Sequence, residues 1–388
     1  MATVILHPGR EARLAGGHQW IYASEIRSID GTAQPGDVVD VRAADRTFLG
    51  RGYFNPRSTI AIRLLTRQRE AIDDAFFRRR LEEALALRRR VVSGTTACRL
   101  VSSEGDGLPG LVVDRYGDLL VVQVLTLGMA RHQDRLVRLL QELAQPAAIY
   151  GRNDMPVRRL EGLPQEAGFL AGEATLLVDI EEGGLRFRVD VAGGQKTGFY
   201  LDQRENRQAV EAYARGEVLD AFCYTGGFAL HAARAGARVL GVDSSAEAVA
   251  AAAAHARWNG LAERCTFQAG NAFDILRALA REGPRFDAVI LDPPAFAPSR
   301  RALPRAAAAY KEINLRALKL LRPGGILVSC SCSAHVSEEL LCALVAEAAF
   351  DARRRVRLLE ARGQSRDHPV HPGMPETRYL KCLILEVE

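Results

Sequence analysis

The sequence predicts an α/β protein: a mostly parallel sheet covered by helices, preceded by a β-rich module and a mixed α+β segment. Three observations carry that prediction. From about residue 195, short apolar runs ("EVLDAF", "RVLGVD", "CTFQAG", "FDAVILD", "GGILVSC") alternate with helix-patterned stretches, as parallel strands joined by crossover helices do. Residues 1 to about 70 instead carry short β-prone runs separated by Gly, Pro and Asp. At Asp73 the apolar spacing switches to a helical period.

Composition narrows the class. The chain has 388 residues, 48% hydrophobic and 26% charged, enough for two or three cores. A formal net charge of +5 permits an anionic partner without requiring one. No uncharged apolar run is long enough to span a bilayer, so no membrane partner is expected. Seven cysteines, an odd number without framework spacing, and the lack of a signal peptide point to a reducing compartment; the expected location is cytoplasmic. Nothing supplies the four clustered ligands of a zinc site, so no metal is expected.

The N-terminal runs "TVILHPG", "QWIYASEIRSI", "GDVVDVRAADRTFLGRGYF" and "STIAIRLL" form a small barrel or sandwich. Arg10, Arg13, Arg42, Arg46, Arg51, Arg57 and Arg63 interleave there with Trp20, Tyr22, Tyr53 and Phe54. That mixture suits RNA, whose phosphates take charge and whose bases take rings. It equally describes core aromatics beneath solvated arginines. "DDAFFRRRLEEALALRRRVV" follows as a helix capped by Asp73 or Asp74. A hairpin turning at Tyr116-Gly117-Asp118, a second helix, the strand "AAIYGRN" and a hairpin turning at Gly183-Gly184 complete the middle. The expected domains are 1–71, 72–182 and 183–388.

"VLDAFCYTGGFALHAARAG" is a strand, a glycine turn and a helix. Asp220 sits near the end of the strand, and Thr225-Gly226-Gly227 makes the turn. Asp243 ends the next strand about 20 residues on, where an acid accepts from ribose hydroxyls. The third spaced glycine of a dinucleotide fingerprint is missing, and an acid at Asp220 repels a pyrophosphate but accepts from an amine. The cofactor expected is S-adenosylmethionine, which carries an ammonium group and no phosphate. Asn271, after the third strand, offers a carbonyl acceptor to an adenine amino group.

The fourth strand ends in Asp292-Pro293-Pro294-Ala295-Phe296. Two prolines stiffen the turn. In nucleic-acid methyltransferases such a turn holds a flipped base by its polar edge and stacks an aromatic ring on its face. The fifth strand runs into "VSCSCSAHV", which puts Cys332 at or just past its carboxyl end, where sites of doubly wound sheets gather. Cys330 and Cys332 share a face by strand alternation. Cys332 is the candidate nucleophile and Cys330 buried filler. A thiolate near this cofactor has a use on cytosine: adding to C6 makes C5 nucleophilic. Asp292 is then placed to hydrogen-bond the amide-like edge.

"VDVAGGQKTGFYLDQRENR", "AFCYTGGFA", "LDPPAF", "SCSCS", "SEGDGLPGLVVDRYGD" and "RDHPV" together resemble the bacterial 23S ribosomal RNA large-subunit cytosine-5 methyltransferases over essentially the whole chain. The resemblance implies an N-terminal PUA domain, a central α+β domain and a C-terminal Rossmann-like class I methyltransferase domain. It implies that Lys196, Thr197, Gly198, Tyr200, Asp202, Gln203 and Arg204 line the cofactor site, with Arg204 near the cofactor carboxylate. Phe222, Cys223, Tyr224, Thr225 and Gly226 form the main loop. Asp243 holds ribose and Asn271 meets adenine, with Asp220, Ser244, Ala272, Phe273 and Asp292 also at the cofactor, while Asp292, Pro293, Pro294 and Phe296 meet the base. Cys332 matches the nucleophile. The implied partner is 23S ribosomal RNA or its precursor particle, and a homodimer is left open. Ala334 departs from the family's Gly after the final Ser, and the D-P-P turn holds no second thiol, so product release needs another group. Two alternatives stand beside this reading: a guanine-N methyltransferase on ribosomal RNA without a covalent step, and a non-catalytic RNA-binding assembly factor.

Overall fold

A computed structural model describes residues 1–282, 284–297 and 299–388. The chain separates into two units that share its length unequally. One comprises residues 1–180, 189–201 and 366–377; the other comprises 181–188, 202–365 and 378–388.

Among the described residues the first unit holds two sheets. The N-terminal one is six-stranded, ordered Trp20–Tyr22, Ile60–Thr66, Phe48–Phe54, Val38–Arg42, Thr3–Leu6 and Ile26–Asp30. Alternation along these strands buries Val4, Leu6, Val39, Val41, Ile62 and Leu64 in one core. The aromatics that suited RNA are spoken for here. Tyr53 and Phe54 are buried, the Tyr53 hydroxyl meeting Thr126 Oγ1 at 2.9 Å. Trp20 Nε1 donates to Glu104 at 2.8 Å, with the Arg63 guanidinium 5.3 Å over its ring. Arg10, Arg46 and Arg57 face water. The interleaving seen in the sequence is therefore largely core packing.

The second sheet is five-stranded, ordered Glu166–Ala171, Ala148–Asn153, Leu119–Val124, Leu111–Tyr116 and Ala97–Ser102. Helix Asp74–Val91 starts where Asp73 accepts the Phe76 N–H at 3.0 Å. Its Phe76, Phe77, Leu81 and Leu85 pack with Leu136, Leu139 and Leu140 of helix Gln133–Ala144.

The second unit is built on a seven-stranded sheet. In chain order its strands are Glu217–Ala221, Arg238–Asp243, Cys265–Ala269, Phe286–Leu291, Leu321–Ser331, Val356–Arg362 and Lys381–Val387. In space they run third, second, first, fourth, fifth, seventh, sixth. The first five are parallel and the seventh is antiparallel to its neighbours. The order reverses beside the first strand, which places a crevice at the carboxyl ends there. Val218, Leu219, Val289, Ile290, Leu327 and Val328 are fully buried, as two-sided strands require. The crossover helices obey local rules: Ser245 caps the alanine-rich Ala246–Trp258 and Ser337 caps Glu338–Ala352. No helix among the described residues is long and apolar enough to cross a membrane.

Candidate active site

In the second unit every candidate residue from Asp202 onward lies before the sheet or at the carboxyl end of one of its parallel strands. The first strand leads into a loop under backbone strain. Phe222 (φ 67°) and Tyr224 (φ 47°) are left-handed although neither is glycine. Such residues cost about 1–3 kcal/mol each and persist where surroundings over-determine them. Here the Cys223 N–H donates to Val242 O at 2.9 Å and the Tyr224 N–H to Asp243 Oδ2 at 2.9 Å. Gly226 (φ 85°) closes the turn; a Cβ there would meet Leu230 Cδ1 at 2.9 Å. The sequence's glycine is thus required twice, by conformation and by packing.

Asp243 anchors this loop with one oxygen and takes the Ser245 N–H on the other at 2.9 Å. Each oxygen keeps a further lone pair for a ribose hydroxyl. Ser244 is exposed beside it, and Cys223 is buried. Asn271 is exposed and accepts the Phe273 N–H at 2.9 Å, which starts helix Ala272–Glu282. Its carbonyl, expected to meet adenine, is therefore already half-used by the chain.

Asp220 is fully buried and neither of its oxygens makes a hydrogen bond of ordinary length and angle, although the Ala229 backbone N–H is near enough to favour its charged form. Burial first, and then the charge of Asp292, push its titration well above the usual carboxylate range. Thr225 Oγ1 is a second buried polar atom without a partner. Orphaned buried groups are costly unless a ligand completes them. A carboxylate and a hydroxyl beside a strained loop fit a ligand that brings an ammonium group, and S-adenosylmethionine brings one. A pyrophosphate would meet two acids, Asp220 and Asp243.

The neighbouring rings form an aromatic wall. Phe222, Phe273 and Phe296 lie 6.1, 6.4 and 5.7 Å apart pairwise, and Phe296 reaches Tyr310 at 4.9 Å. Pro293 is buried, Pro294 exposed and Phe296 half-buried. Asp292 Oδ1 accepts from Gln203 Nε2 at 2.9 Å, and Gln203 Oε1 in turn accepts from Asn206 at 2.6 Å. Asp202 takes the Tyr379 hydroxyl at 2.8 Å. Arg204 is buried and lies 3.8 Å from Glu205.

Cys332 falls one residue beyond the fifth strand and is part-exposed, whereas Cys330 is wholly buried. The Cys332 Sγ lies 3.9 Å from the Pro293 carbonyl oxygen, so thiol and D-P-P turn adjoin. Alternation explains the repeated Ser-Cys spelling. Ser331 Oγ donates to the Tyr310 hydroxyl at 2.9 Å, and Ser333 Oγ lies 3.1 Å from the same hydroxyl. Ser333 Oγ also accepts the Ala297 N–H at 3.2 Å. The two serines tie the strand end to the turn, on the opposite face from Cys332. Burial of Tyr310 pushes its titration up, which keeps this phenol a donor.

Lys196, Thr197, Gly198 and Tyr200 belong to the first unit. There the Lys196 ammonium lies 4.8 Å over the Tyr200 ring. Thr197 is buried; its hydroxyl donates to Asp114 at 2.6 Å and meets the Tyr116 hydroxyl at 2.9 Å. Gly198 has φ 136°, where an added Cβ would strike Val189 at 2.6 Å. The Thr197 side chain is thus engaged within its own unit.

Sequence reasoning passed over Tyr310 and Lys381. Lys381 is nearly enclosed, with Nζ donating to Ser333 O at 2.7 Å and Tyr379 O at 2.9 Å. A single lysine opening the apolar run "KCLILEV" was the available signal. Tyr310 hid in the alanine-rich helix Leu303–Leu320.

Comparison with known proteins agrees with this architecture. A protein-family profile described as a PUA-like domain matches residues 4–67, and one described as an S-adenosylmethionine-dependent methyltransferase matches residues 99–374. The chain is 43% identical over 390 residues to "Ribosomal RNA large subunit methyltransferase I" of Shewanella denitrificans, covering 98% of each. It is 40% identical to the protein of that name from Alteromonas mediterranea, covering 100% of this chain and 99% of the other. In fold it is similar over 100% of both chains to an S-adenosylmethionine-dependent methyltransferase from Streptococcus mutans, with TM-score 0.85 and 21% identity. A methyltransferase solved in complex with SAH superposes with TM-score 0.86 at 22% identity, again over 100% of both chains.

Proposed function

The chain belongs to the ribosomal RNA large subunit methyltransferase I family of S-adenosylmethionine-dependent methyltransferases, and we propose that it methylates C5 of a cytosine in 23S ribosomal RNA through a covalent Cys332 adduct. The observation that carries this reading is the 3.9 Å approach of Cys332 Sγ to the Pro293 carbonyl oxygen. A nucleophile adjoins the turn whose backbone and carboxylate suit the polar edge of a flipped base.

Bound S-adenosylmethionine supplies an electrophilic methyl group and leaves as the thioether. Asp220, Thr225, the loop from Phe222 to Gly226, Asp243 with Ser244, and Asn271 with Ala272 and Phe273 would hold it. Asp202 and Arg204 complete the proposed set within the second unit. The remaining work falls to Cys332 and Asp292. C5 of cytosine is a poor nucleophile. The Cys332 thiolate adds to C6, and the electron pair of the C5–C6 bond becomes available at C5. Asp292, held by Gln203, hydrogen-bonds the N3 edge and favours the protonated form that accepts the thiolate. Once C5 carries the methyl group, a general base other than a second thiol takes the C5 proton, the freed electron pair re-forms the C5–C6 double bond, and the C6–S bond breaks to release Cys332.

The same reading gives residues 1–71 the task of docking RNA, residues 72–182 that of a central domain, and residues 183–388 that of catalysis. Exposed Arg10, Arg46 and Arg57 then contact phosphates. The test is a methylation map. Mass spectrometry of 23S ribosomal RNA from a deletion strain should lose one 5-methylcytosine, regained with the wild-type gene and not with Cys332→Ala. If Cys332→Ala restores the lost methyl group, the covalent reading fails and non-covalent guanine methylation replaces it. If no modification disappears, the assembly-factor reading replaces both.

A further inference from the structure

A glutamine amide can meet a carboxylate with either end, its NH2 donating or its oxygen opposing. Nothing in Gln203 itself decides which end faces Asp292. The decision is made further along the second unit. Gln203 is 2% exposed, and Asn206, one turn on in helix Arg204–Val210, is 1% exposed. Asn206 Nδ2 donates to Gln203 Oε1 at 2.6 Å and to the Gly363 carbonyl at 3.0 Å. Its Oδ1 accepts from Arg362 Nε at 3.0 Å. Arg362 ends the edge strand Val356–Arg362, where its guanidinium also meets Glu360 Oε2 at 2.5 Å and the Glu205 carbonyl at 3.3 Å.

The far end of this chain of contacts has only one polarity. A guanidinium can only donate, and a backbone carbonyl can only accept. The Asn206 atom beside Arg362 is therefore the oxygen, and the atom beside Gly363 is the nitrogen. That nitrogen fixes the facing Gln203 atom as oxygen, which leaves the Gln203 NH2 for Asp292 Oδ1, 2.9 Å away. The buried Cys330 thiol adjoins the same glutamine, but a thiol takes either role and does not choose between its ends.

We propose that Asn206 and Arg362 are positioning residues for methyl transfer: they hold the Gln203 amide donor-first, and so hold the Asp292 carboxylate in the orientation that meets the target base. The inference rests on the reading above that Asp292 meets the base. With the amide reversed, two acceptors would oppose each other, the hydrogen bond would be lost and the carboxylate would turn away. Both residues act through Gln203.

The test is a double-mutant cycle on the full-length enzyme. Transfer of labelled methyl groups from S-adenosylmethionine to 23S ribosomal RNA of a deletion strain gives kcat and KM. Asn206→Asp keeps the size of the side chain and its bond to Arg362 but has no NH2 to give Gln203. It should lower kcat/KM about tenfold, with the loss in kcat and the KM for S-adenosylmethionine within about twofold of wild type. Arg362→Met should lower kcat/KM about threefold, because Gly363 still holds one end of Asn206. In a Gln203→Leu background each change should cost no more than about twofold further, since the amide they orient is gone. Losses that multiply, a loss carried by KM, or an Asn206→Asp enzyme at the wild-type rate overturn the proposal. Should Asn206→Asp lose its melting transition, the Arg362→Met cycle decides alone by the same criteria. Failure of the underlying reading shows elsewhere, as full activity in Asp292→Ala or as 5-methylcytosine formed by Cys332→Ala, so the failures are distinguishable.

Discussion

Gln203 Nε2 donates a 2.9 Å hydrogen bond to Asp292 Oδ1, so a residue ahead of the first strand fixes the carboxylate that ends the fourth. The proposed base contact depends on that orientation as much as on Asp292 itself. A hydrogen bond to a charged group contributes about 1.5–3 kcal/mol. Gln203→Leu should therefore lower kcat/KM on a ribosomal RNA fragment by about 10- to 100-fold. Isothermal titration with S-adenosylmethionine should show a smaller loss than the loss in kcat/KM, which separates base orientation from the part Gln203 plays at the cofactor.

The two neighbouring cysteines should behave differently. Cys332→Ala removes the proposed nucleophile and should abolish 5-methylcytosine formation while leaving the melting temperature near wild type. Cys330→Ala leaves a small void in a closed part of the sheet and should cost about 1–2 kcal/mol in denaturant unfolding. Methylation by that variant should persist.

Asp220→Asn should stabilise the apoprotein and weaken cofactor binding. Burial and the charge of Asp292 raise the titration of Asp220 above the ordinary aspartate value, so its folded pKa exceeds its unfolded one. The stability it contributes is present below the unfolded pKa and is lost as pH rises. At neutral pH the amide removes that penalty, and chemical denaturation should show a gain of about 1–3 kcal/mol. Calorimetric titration should show weaker S-adenosylmethionine binding, because an amide lacks the charge an ammonium wants.

Glu182 and Arg207 form a buried pair, with both guanidinium contacts at 2.7 Å. Burial opposes ionisation of Glu182, but the Arg207 charge and the hydrogen bonds from His231 and Arg207 prevail and hold it to about 2. Its folded pKa is depressed, so its contribution is complete above the unfolded value of 4.5 and lost as pH falls from there toward 2. Acid unfolding of wild type should steepen in that window. Arg207→Met takes the guanidinium from a fully buried carboxylate that keeps its His231 contact, and should cost about 3 kcal/mol at pH 7.

The site's scaffold was legible because its signals are local. A strand, a glycine turn and an acid at fixed spacing identify the loop from Ala221 to Asp243, and D-P-P after an apolar strand identifies the next turn. Position along the fifth strand separated the two cysteines, Cys332 at its carboxyl end and Cys330 one step down the sheet. Long-range facts were not legible. Lys381 reaches the fifth strand only because the seventh inserts beside it, a pairing that no spacing encodes. Thr197 reads as a cofactor neighbour by its motif, yet its hydroxyl is engaged by Asp114 and Tyr116, both far back in sequence. The basic and aromatic N-terminal run left two readings open for a related reason: composition cannot tell a ring in a core from a ring on a surface, and Tyr53 and Phe54 are in the core.

The strand Lys381–Val387 follows Val356–Arg362 in the chain yet lies inside the sheet, between Leu321–Ser331 and Val356–Arg362. It pairs antiparallel on both sides, so each neighbour owes one ladder to it. Removing it would therefore open the sheet beside Cys330 and Ser331 rather than trim an edge, and would bare two rows of backbone donors and acceptors.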